Sequence, residues 1–434
     1  MNSELINIAI NSKEASYKLA SLSEEVKNNA LKAVINEIKT NKEKILCANK
    51  ADLEEAKKLV EENKLSKALY DRLKLDEDKL EVILQGIEDV IKLEDPVNKT
   101  LWAIQLDENL DLYRVSCPIG VIGVIFESRP DVVPQIASLA VKSANSVILK
   151  GGIEALKTNE VFVELINRAL DNSGFPKNSI NLIKTRDDVK TLLELDDYID
   201  LIIPRGSNTL VKYIQSNTKI PVLGHTEGIC HIYTDESADF NKGIKISLDA
   251  KIQYPSACNS VETILVHKKI SSDYIPILVK SFKENGVVIK GDKESLNIVK
   301  DIKEATEEDW KTEYSDKIVS VKVVDNIMEA INHINKYGSG HTDCIITEDK
   351  NKADLFMDLV DSSGVYHNAS TRFADGFRYG LGAEVGISTN KTHSRGPVGL
   401  EGLTIYKYRL YGNGQTVGEY SGKNSKNFTH KRIV

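Results

Sequence analysis

Cys258 is the residue of this chain with the clearest capacity for chemistry. It lies between a polar, turn-prone segment, 253–256, and an apolar run, 263–266, that is typical of a β-strand. A loop just before a strand can aim a thiol into a cleft, and thiolates attack acyl carbons well. The sequence therefore allows a nucleophilic cysteine, with a small buried hydrophobe as the alternative.

Two turns carry the residue types that suit phosphate groups. Each follows an apolar run typical of a buried strand, at 146–150 and at 200–203. A cation at a strand's carboxyl end, or free N–H groups at a helix start, can bind the phosphates of a nucleotide. Neither turn is a GxGxxG motif or a P-loop, so ordinary turn chemistry is the alternative. The residues concerned are Lys150, Gly151 and Gly152 in the first turn and Arg205, Gly206 and Ser207 in the second.

Two arginine-containing segments, 127–131 and 368–373, could hold an anionic substrate. An arginine at the end of a strand can bind a carboxylate or phosphate through two parallel hydrogen bonds. A structural ion pair is the alternative for either arginine. The candidate substrate-binding residues are Ser128, Arg129, Arg372 and Phe373, with Arg395 as the next arginine to consider.

The histidines and cysteines predict no metal site. The eight histidines lack HExxH spacing and the five cysteines form no CxxC pair, so neither a zinc site nor a disulfide framework is expected. His267 and His333 are expected in packing or on the surface. A Cys–His dyad of the hydrolase type stays open, because such partners meet in space rather than in sequence.

Composition bounds the class of protein. A chain of 434 residues with 41% hydrophobic and 28% charged residues is expected to form two or three globular domains. The net charge of −7 offers no basic surface for nucleic acid. No apolar run approaches the roughly 18 residues of a membrane span, and residues 1–11 do not resemble a signal peptide. Scattered cysteines fit a reducing compartment, so a cytoplasmic location is predicted.

The hydrophobic pattern predicts an α/β protein. The first ninety or so residues have helical periodicity, with Ser21 and Glu24 as a candidate capping box. The pattern of residues 101–116 predicts a β-hairpin, and the alternation of apolar and polar residues at 403–411 predicts an edge strand. Between them, strands alternate with helices, which implies parallel sheets. Buried strands are expected at 121–125, 146–150, 181–183, 200–203, 262–267, 286–289, 317–324 and 342–347.

Several segments together resemble the glutamate-5-semialdehyde dehydrogenases, or gamma-glutamyl phosphate reductases. They occur in order along the chain at 117–130, 147–152, 200–206, 228–233, 257–263, 368–376, 382–387 and 396–402. That family belongs to the aldehyde dehydrogenase superfamily. The resemblance implies an aldehyde dehydrogenase-like α/β fold with nucleotide-binding and catalytic α/β domains and a small β oligomerisation element. The implied domains are 1–100 with 117–227 for NADPH, 228–395 for catalysis, and 101–116 with 396–434 for oligomerisation.

The resemblance also implies an activity. It is the NADPH-dependent reduction of L-glutamyl 5-phosphate to L-glutamate 5-semialdehyde and phosphate in L-proline biosynthesis, through a thioester on Cys258. The resemblance implies that Lys150 contacts the adenosine ribose or its 2′-phosphate. It also implies that the turn at Arg205 contacts the pyrophosphate and that Glu313 contacts the nicotinamide ribose. A homodimer or tetramer is implied, with a separate glutamate 5-kinase as a candidate partner.

One departure from oxidising aldehyde dehydrogenases bears on the reaction. Where those enzymes carry a glutamate base, this chain has the segment 223–228, which aligns poorly. Hydrolysis of a thioester needs a base to activate water, whereas reduction of the thioester does not. Residues 127–129 likewise replace the usual amide-bearing oxyanion segment. The alternatives are an oxidising semialdehyde dehydrogenase and a thiol acyl-hydrolase or acyltransferase without nucleotide.

Overall fold

The chain divides into two compact units in the computed structural model, which describes residues 3–225, 227–423 and 425–433. The first unit is Met1–Leu223 with Val398–Val434, and the second is Gly224–Pro397. The hairpin and the C-terminal tail, expected to form an element of their own, belong to the first unit. The catalytic and nucleotide-binding roles of the two units remain predictions.

Helices and strands alternate through the middle of the chain, as the hydrophobic pattern predicts. The helices are α1 Ser3–Leu19, α2 Glu24–Thr40, α3 Lys42–Glu61, α4 Lys67–Leu73, α5 Glu77–Lys92, α6 Val132–Lys142, α7 Leu156–Asn172, α8 Arg186–Leu193, α9 Asn208–Ser216, α10 Phe240–Ile252, α11 Lys268–Glu284, α12 Lys293–Ile298, α13 Ile327–Tyr337 and α14 Lys350–Leu359. The strands are β1 Thr100–Asp107, β2 Leu110–Pro118, β3 Val121–Phe126, β4 Ser146–Lys150, β5 Ile180–Leu182, β6 Leu201–Arg205, β7 Cys230–Thr234, β8 Val261–His267, β9 Val288–Gly291, β10 Lys303–Glu304, β11 Ile318–Val324, β12 Thr342–Ile346, β13 Gly364–His367, β14 Ile387–Ser388, β15 Gly396–Pro397, β16 Thr404–Tyr411 and β17 Lys431–Arg432.

The central sheet of the first unit is parallel, with strand order β5-β4-β3-β6. Every residue of β3 and β4 is buried, as expected for a parallel sheet covered on both faces. Val121, Ile125, Ile148 and Ile202 form part of its core. The carboxyl ends of β3, β4 and β6 therefore share one edge, where the two predicted phosphate turns begin.

The N-terminal helices confirm the helical prediction but not its proposed cap. The N-cap of α2 is Ser23, whose side chain accepts a hydrogen bond from the N–H of Val26. The hydroxyl of Ser21 instead donates to the carbonyl of Lys18, in the last turn of α1. The predicted capping box at Ser21 and Glu24 is therefore wrong, because Ser21 closes the preceding helix.

The hairpin predicted at 101–116 is confirmed as β1 and β2. It lies in an antiparallel sheet of order β16-β2-β1-β17. Strand β16 pairs with β2 from Thr404 to Tyr411 and is an end strand of this sheet, as the alternating pattern of the tail indicates.

The second unit contains a parallel sheet of order β10-β9-β11-β8-β7-β12-β13. Its core includes Ile232, Ile264 and Phe282. Strand β7 is wholly buried although His231 and Thr234 are polar, and the sequence analysis did not single it out. The neighbouring strands β8, β7 and β12 bring their amino ends to one edge.

Helices of the described ranges give no candidate for a membrane span, since none combines the length and the apolar character that a bilayer requires.

Candidate active site

Cys258 lies in the loop between α10 and β8, at the amino end of β8. Strands β7 and β12 run parallel to β8 beside it, so the segments that precede β7 and β12 meet the cysteine loop. The thiol is half-buried. A rigid sheet edge therefore carries the predicted nucleophile.

Gly228, just before β7, allows the chain to pass directly beneath Cys258. A Cβ at this position would lie 1.9 Å from the carbonyl oxygen of Cys258, closer than any side chain can approach. The N–H of Gly228 donates to the carboxylate of Glu313 at 3.0 Å. Glu313 thus contacts the segment against which the cysteine loop packs. Of the poorly aligned segment 223–228, Thr226 lies outside the described residues.

His341 contacts Cys258 directly from the segment preceding β12. Its Nε2 lies 3.2 Å from the Sγ of Cys258, and its Nδ1 lies 2.9 Å from the Oγ1 of Thr342. The ring is fully buried, so the hydroxyl holds its orientation. A thiol and an imidazole at this separation can exchange a proton.

His225 completes a cluster around the same thiol. Its Nδ1 donates to the carbonyl of Ile387 at 2.8 Å, and its ring centroid lies 4.9 Å from that of His341. One ligand atom each from His225, Cys258 and His341 falls within 4.8 Å of the others. Two histidines and the cysteine therefore meet at this edge, although no sequence spacing indicates it, because three separate loops converge here.

Asn259 ties the cysteine loop to the second arginine segment. The Oγ1 of Thr371 donates to the carbonyl of Asn259 at 2.6 Å, and the Nδ2 of Asn259 donates to the carbonyl of Ala374 at 2.8 Å. These bonds close over a short 3₁₀ turn that contains Arg372. The arginine segment and the cysteine loop, far apart in sequence, therefore form one local structure.

The side chain of Arg372 points toward the residues that precede Cys258. Its Nε donates to the Oε1 of Gln253 at 2.8 Å, and its guanidinium lies 5.7 Å from the ring centre of Tyr254. Burial lowers the pKa of Arg372, as does the neighbouring Arg378, while the charge of Cys258 acts in the opposite direction. A buried cation close to a thiolate suits an anionic substrate.

Phe373 and Arg395 occupy different surroundings. Phe373, next to Arg372, leaves 53% of its surface exposed, so it can contact a ligand without displacing the core. The Nη2 of Arg395 lies 3.1 Å from the carboxylate of Asp361. Arg395 therefore forms a structural ion pair, the alternative role considered above for an arginine.

A second cysteine lies beneath the first. Cys230, on β7, is fully buried, and its thiol contacts the carbonyl oxygen of Cys258 at 3.4 Å. Burial raises the pKa of Cys230 well above its usual value. Cys230 therefore remains a thiol that supports the loop, and Cys258 is the more accessible thiol of the two.

In the first unit, Lys150 ends β4 and is largely buried. Its Nζ donates to the carbonyl of Gly151 at 2.5 Å. A Cβ on Gly151 would lie 2.3 Å from the amide of Asn159, and one on Gly152 would lie 2.0 Å from the carboxylate of Glu154. The two glycines therefore allow a close approach of backbone and side chains at the sheet edge.

The first arginine segment is held by the same edge. Ser128 has a φ of 43°, and its N–H donates to the carboxylate of Glu154 at 2.9 Å. Arg129 makes an ion pair with Asp131 at 3.0 Å and leaves 40% of its side chain exposed. Ser128 is thus fixed, whereas the guanidinium of Arg129 remains accessible on one side.

The start of α9 already holds an anionic group. The N–H of Ser207 donates to the Oε2 of Glu127 at 2.7 Å. A Cβ on Gly206 would lie 2.5 Å from the same oxygen. The helix start beside Arg205 therefore offers an N–H donor to a negative charge, as the sequence predicts for a phosphate, but a carboxylate occupies it.

Comparison with known proteins decides the family. The sequence profile of the aldehyde dehydrogenase family matches residues 2–298. The chain is 59% identical to gamma-glutamyl phosphate reductase of Brachyspira hyodysenteriae, over 99% of this chain and 100% of that protein. It is 54% identical to the enzyme of the same name from Methanococcoides burtonii, over 100% of this chain and 98% of that protein. The chain belongs to the gamma-glutamyl phosphate reductases.

A solved structure of the same family supports this membership. The crystal structure of gamma-glutamyl phosphate reductase from Thermotoga maritima superposes with a TM-score of 0.92 at 40% identity. The match covers 95% of this chain and 100% of that one. Both the resemblance drawn from the sequence segments and the predicted aldehyde dehydrogenase-like fold are confirmed.

Several residues of this site carry no signal in the sequence. His225 and His341 had no spacing signal, since they lie in loops before different strands. Glu127 and Asn259 lie in two of the segments that resemble the family, at 117–130 and 257–263, but the sequence does not indicate what they contact. The sequence leaves a Cys–His dyad open, and the position of His341 gives Cys258 a candidate partner.

Proposed function

We propose that this chain reduces L-glutamyl 5-phosphate to L-glutamate 5-semialdehyde and phosphate, with NADPH, in L-proline biosynthesis. The observation that carries the proposal is the joining of Cys258 and Arg372 through Asn259, which sets a nucleophile beside a buried cation. Identity of 50–59% to proteins named gamma-glutamyl phosphate reductase, over nearly the whole chain, supports the substrate.

Cys258 supplies the nucleophile in the proposed reaction. Its thiol proton passes to the Nε2 of His341, 3.2 Å away, and the sulfur attacks the acyl carbon. The bond from that carbon to the phosphate oxygen breaks, phosphate leaves, and a thioester remains on Cys258. The N–H of Cys258 is the candidate donor to the oxyanion that forms during attack.

The substrate carries two anionic groups, a phosphate and an α-carboxylate. Arg372, with a neighbouring Phe373, is the proposed cation of the cysteine-bearing unit. Ser128 and Arg129, in the first arginine segment, are further proposed contacts, and Glu154 fixes the serine. Two cations on different loops suit two separated charges.

The turns that follow β4 and β6 carry residues that suit a dinucleotide. The start of α9 takes an anion, since Ser207 binds the Glu127 carboxylate, so a phosphate of the same charge suits it once Glu127 moves aside. Lys150 supplies a cation at the same sheet edge, and Glu313 is the proposed partner of the nicotinamide ribose. The proposed cofactor-binding residues are Lys150, Gly151, Gly152, Arg205, Gly206, Ser207 and Glu313.

When bound, NADPH supplies the hydride that reduces the thioester carbon. Cys258 holds the acyl group until then and leaves as a thiolate when the carbon–sulfur bond breaks. The protonated His341 stabilises the departing thiolate. No residue is needed to activate water, in keeping with the poorly aligned segment at 223–228.

The decisive experiment couples this enzyme to a glutamate 5-kinase, because glutamyl phosphate is too labile to add directly. Purified chain, NADPH, ATP, glutamate and the kinase should oxidise NADPH, and omission of ATP should stop the oxidation. The reverse assay, NADP⁺ with the semialdehyde, should require inorganic phosphate.

The same assays separate the alternatives. Oxidation of the semialdehyde without phosphate would favour an oxidising semialdehyde dehydrogenase. Loss of acyl phosphate at the same rate with and without NADPH would favour a thiol acyl-hydrolase or acyltransferase. The absence of stabilisation by NADPH in a thermal unfolding experiment would also oppose the proposal.

The proposed assembly is a homodimer or tetramer in the cytoplasm, supplied by a separate glutamate 5-kinase. Support for self-association comes from β16, which ends its sheet in the described part of the chain and exposes five large hydrophobic side chains. They are Ile405, Tyr406, Tyr408, Leu410 and Tyr411. The lability of the acyl phosphate supports a nearby kinase, and free, scattered cysteines support a reducing compartment.

A further inference from the structure

We propose that Cys258, His225 and His341 form a binding site for Zn²⁺, and that its occupation blocks the nucleophile. The three residues come from separate loops, and their ligand atoms lie within 4.8 Å of one another. One thiolate and two imidazoles are a ligand set that zinc prefers, and a fourth position would remain for water.

The distances within the cluster are compatible with a tetrahedral zinc site. Zinc–sulfur and zinc–nitrogen bonds of about 2.3 and 2.0 Å imply sulfur–nitrogen edges of roughly 3.5 Å. The Nε2 of His341 lies 3.2 Å from the Sγ of Cys258, near that edge already. The ligand atom of His225 lies within 4.8 Å of the other two, so a change in its side-chain torsion angles can bring it to the same distance.

Hydrogen bonds behind the imidazoles prepare them as ligands. The Nδ1 of His225 contacts the carbonyl of Ile387 at 2.8 Å. Because a carbonyl only accepts, this nitrogen carries the proton and Nε2 carries the lone pair. The Oγ1 of Thr342 can accept from the Nδ1 of His341 at 2.9 Å, which leaves the lone pair of that ring on Nε2. Such partners orient ligating histidines and raise their basicity.

Binding would exchange a proton for the metal. The Cys258 thiol loses its proton to solvent, a sulfur–zinc bond forms, and no oxidation or reduction occurs. The sulfur lone pair needed to attack an acyl carbon is then held by the metal. The positive charge of Arg372, which interacts with the same thiolate, favours an anion or hydroxide in the fourth position.

The test is a metal titration of the full-length protein, independent of any substrate. Zn²⁺ should bind with one equivalent per chain, measured by competition with a chromogenic chelator. Co²⁺ as a probe should give a thiolate-to-metal charge-transfer band. Cys258→Ser should abolish the band, and His225→Ala and His341→Ala should each weaken Zn²⁺ binding about tenfold or more.

Matched variants make the result decisive. Cys47 is an exposed free cysteine away from the cluster, so Cys47→Ala should bind Zn²⁺ as the wild type does. Circular dichroism checks folding, and His225→Gln replaces His225→Ala if the latter does not fold. Unchanged affinity in the folded His225 variant would overturn the site, because a lone thiol or a Cys–His pair would then explain the binding.

Activity gives an independent readout where the reductase assay is available. Zn²⁺ should inhibit NADPH oxidation, and a chelator such as EDTA should restore it fully. The concentration for half-inhibition should rise about tenfold in His225→Ala, measured relative to that variant's own uninhibited rate. Equal sensitivity of this variant and the wild type would contradict the proposal, even if the reductase activity itself is confirmed.

Discussion

The Nε2 of His341 lies 3.2 Å from the Sγ of Cys258, and the Oγ1 of Thr342 fixes the ring from behind. This relationship joins residues whose separation in the sequence is 83 positions. It supports His341 as the proposed proton acceptor for Cys258, a pairing that no sequence motif marks.

Replacement of His341 by Gln should lower kcat for glutamyl phosphate at neutral pH by about 10²-fold, since positioned proton acceptors contribute on this scale. Raising the pH should recover part of the loss, because the thiol then ionises without help. A pH profile of kcat/KM measures both effects. His430→Gln, at an exposed position of the tail, is the control, and equal profiles for wild type and His341→Gln would exclude proton transfer.

Cys258→Ala should abolish turnover while leaving NADPH affinity near normal, because the thiol forms the covalent bond and does not hold the cofactor. Steady-state rates and NADPH-dependent thermal stabilisation provide the two measurements. Cys47→Ala, Cys117→Ala and Cys344→Ala should cause only modest losses. A tenth of wild-type activity remaining in Cys258→Ala would refute the thioester mechanism.

Arg129→Lys and Arg372→Lys should each reduce kcat/KM for glutamyl phosphate at least tenfold, on the order of 1.4 kcal/mol, because the bidentate guanidinium is lost. In the reverse assay, replacement of the arginine that binds phosphate should raise the apparent KM for phosphate. Replacement of the arginine that binds the α-carboxylate should raise the apparent KM for the semialdehyde.

Arg168→Lys is a suitable control for both arginine variants, since Arg168 pairs with Glu37 on the helical surface of the first unit. Unchanged constants in both substrate-site variants would mean that Arg129 and Arg372 serve as structural ion pairs. Arg395, paired with Asp361, would then be tested next.

His333 should make the protein less stable as the pH falls. Burial lowers the pKa of His333 from 6.5 to about 2, assisted by the charge of Lys322. Between these values the unfolded chain binds a proton that the folded chain does not, so the free energy of unfolding decreases toward acid. One such group changes it by about 1.4 kcal/mol per pH unit below 6.5.

The measurement is chemical denaturation of wild type and His333→Gln at several pH values from 7 down to about 5. His333→Gln should be less stable at neutral pH, because the ring packs against Trp310 and Tyr337. Its stability should nevertheless fall less steeply toward acid. Parallel curves for the two proteins would show that His333 does not carry the effect.

Charged substitutions on β16 should weaken self-association. Tyr408→Lys and Leu410→Lys alter exposed side chains while keeping the backbone pairing of β16 with β2. Removal of residues from 403 onward should have the same effect, but it also uncovers β2. Light scattering gives the molar mass, and an unchanged oligomer in both point variants would show that β16 only covers its own sheet.

Local patterns predicted most strands and the loop that holds the candidate nucleophile. Strands β3, β4 and β8 are apolar runs between turns, and the loop before β8 carries Cys258, as expected. Strand β7 was not singled out because His231 and Thr234 interrupt its apolar character. The structure satisfies His231 with Asp343, at 3.1 Å across the neighbouring strand, which no local pattern reveals.

The composition of the site depends on strand order rather than on sequence order. His341 and Gly228 meet Cys258 because β12 and β8 flank β7. Glu127 reaches the start of α9 because β3 lies beside β6. Sequence motifs located each loop, but the pairing of loops follows from the order of strands in the sheet.

The two hydrogen bonds of Asn259 have a mechanical consequence. They bind the peptide next to Cys258 to the carbonyl of Ala374 and the hydroxyl of Thr371, on either side of Arg372. These bonds therefore resist separate displacement of the two segments. The spacing between the thiol and the guanidinium is thus better preserved during fluctuations than the position of either loop.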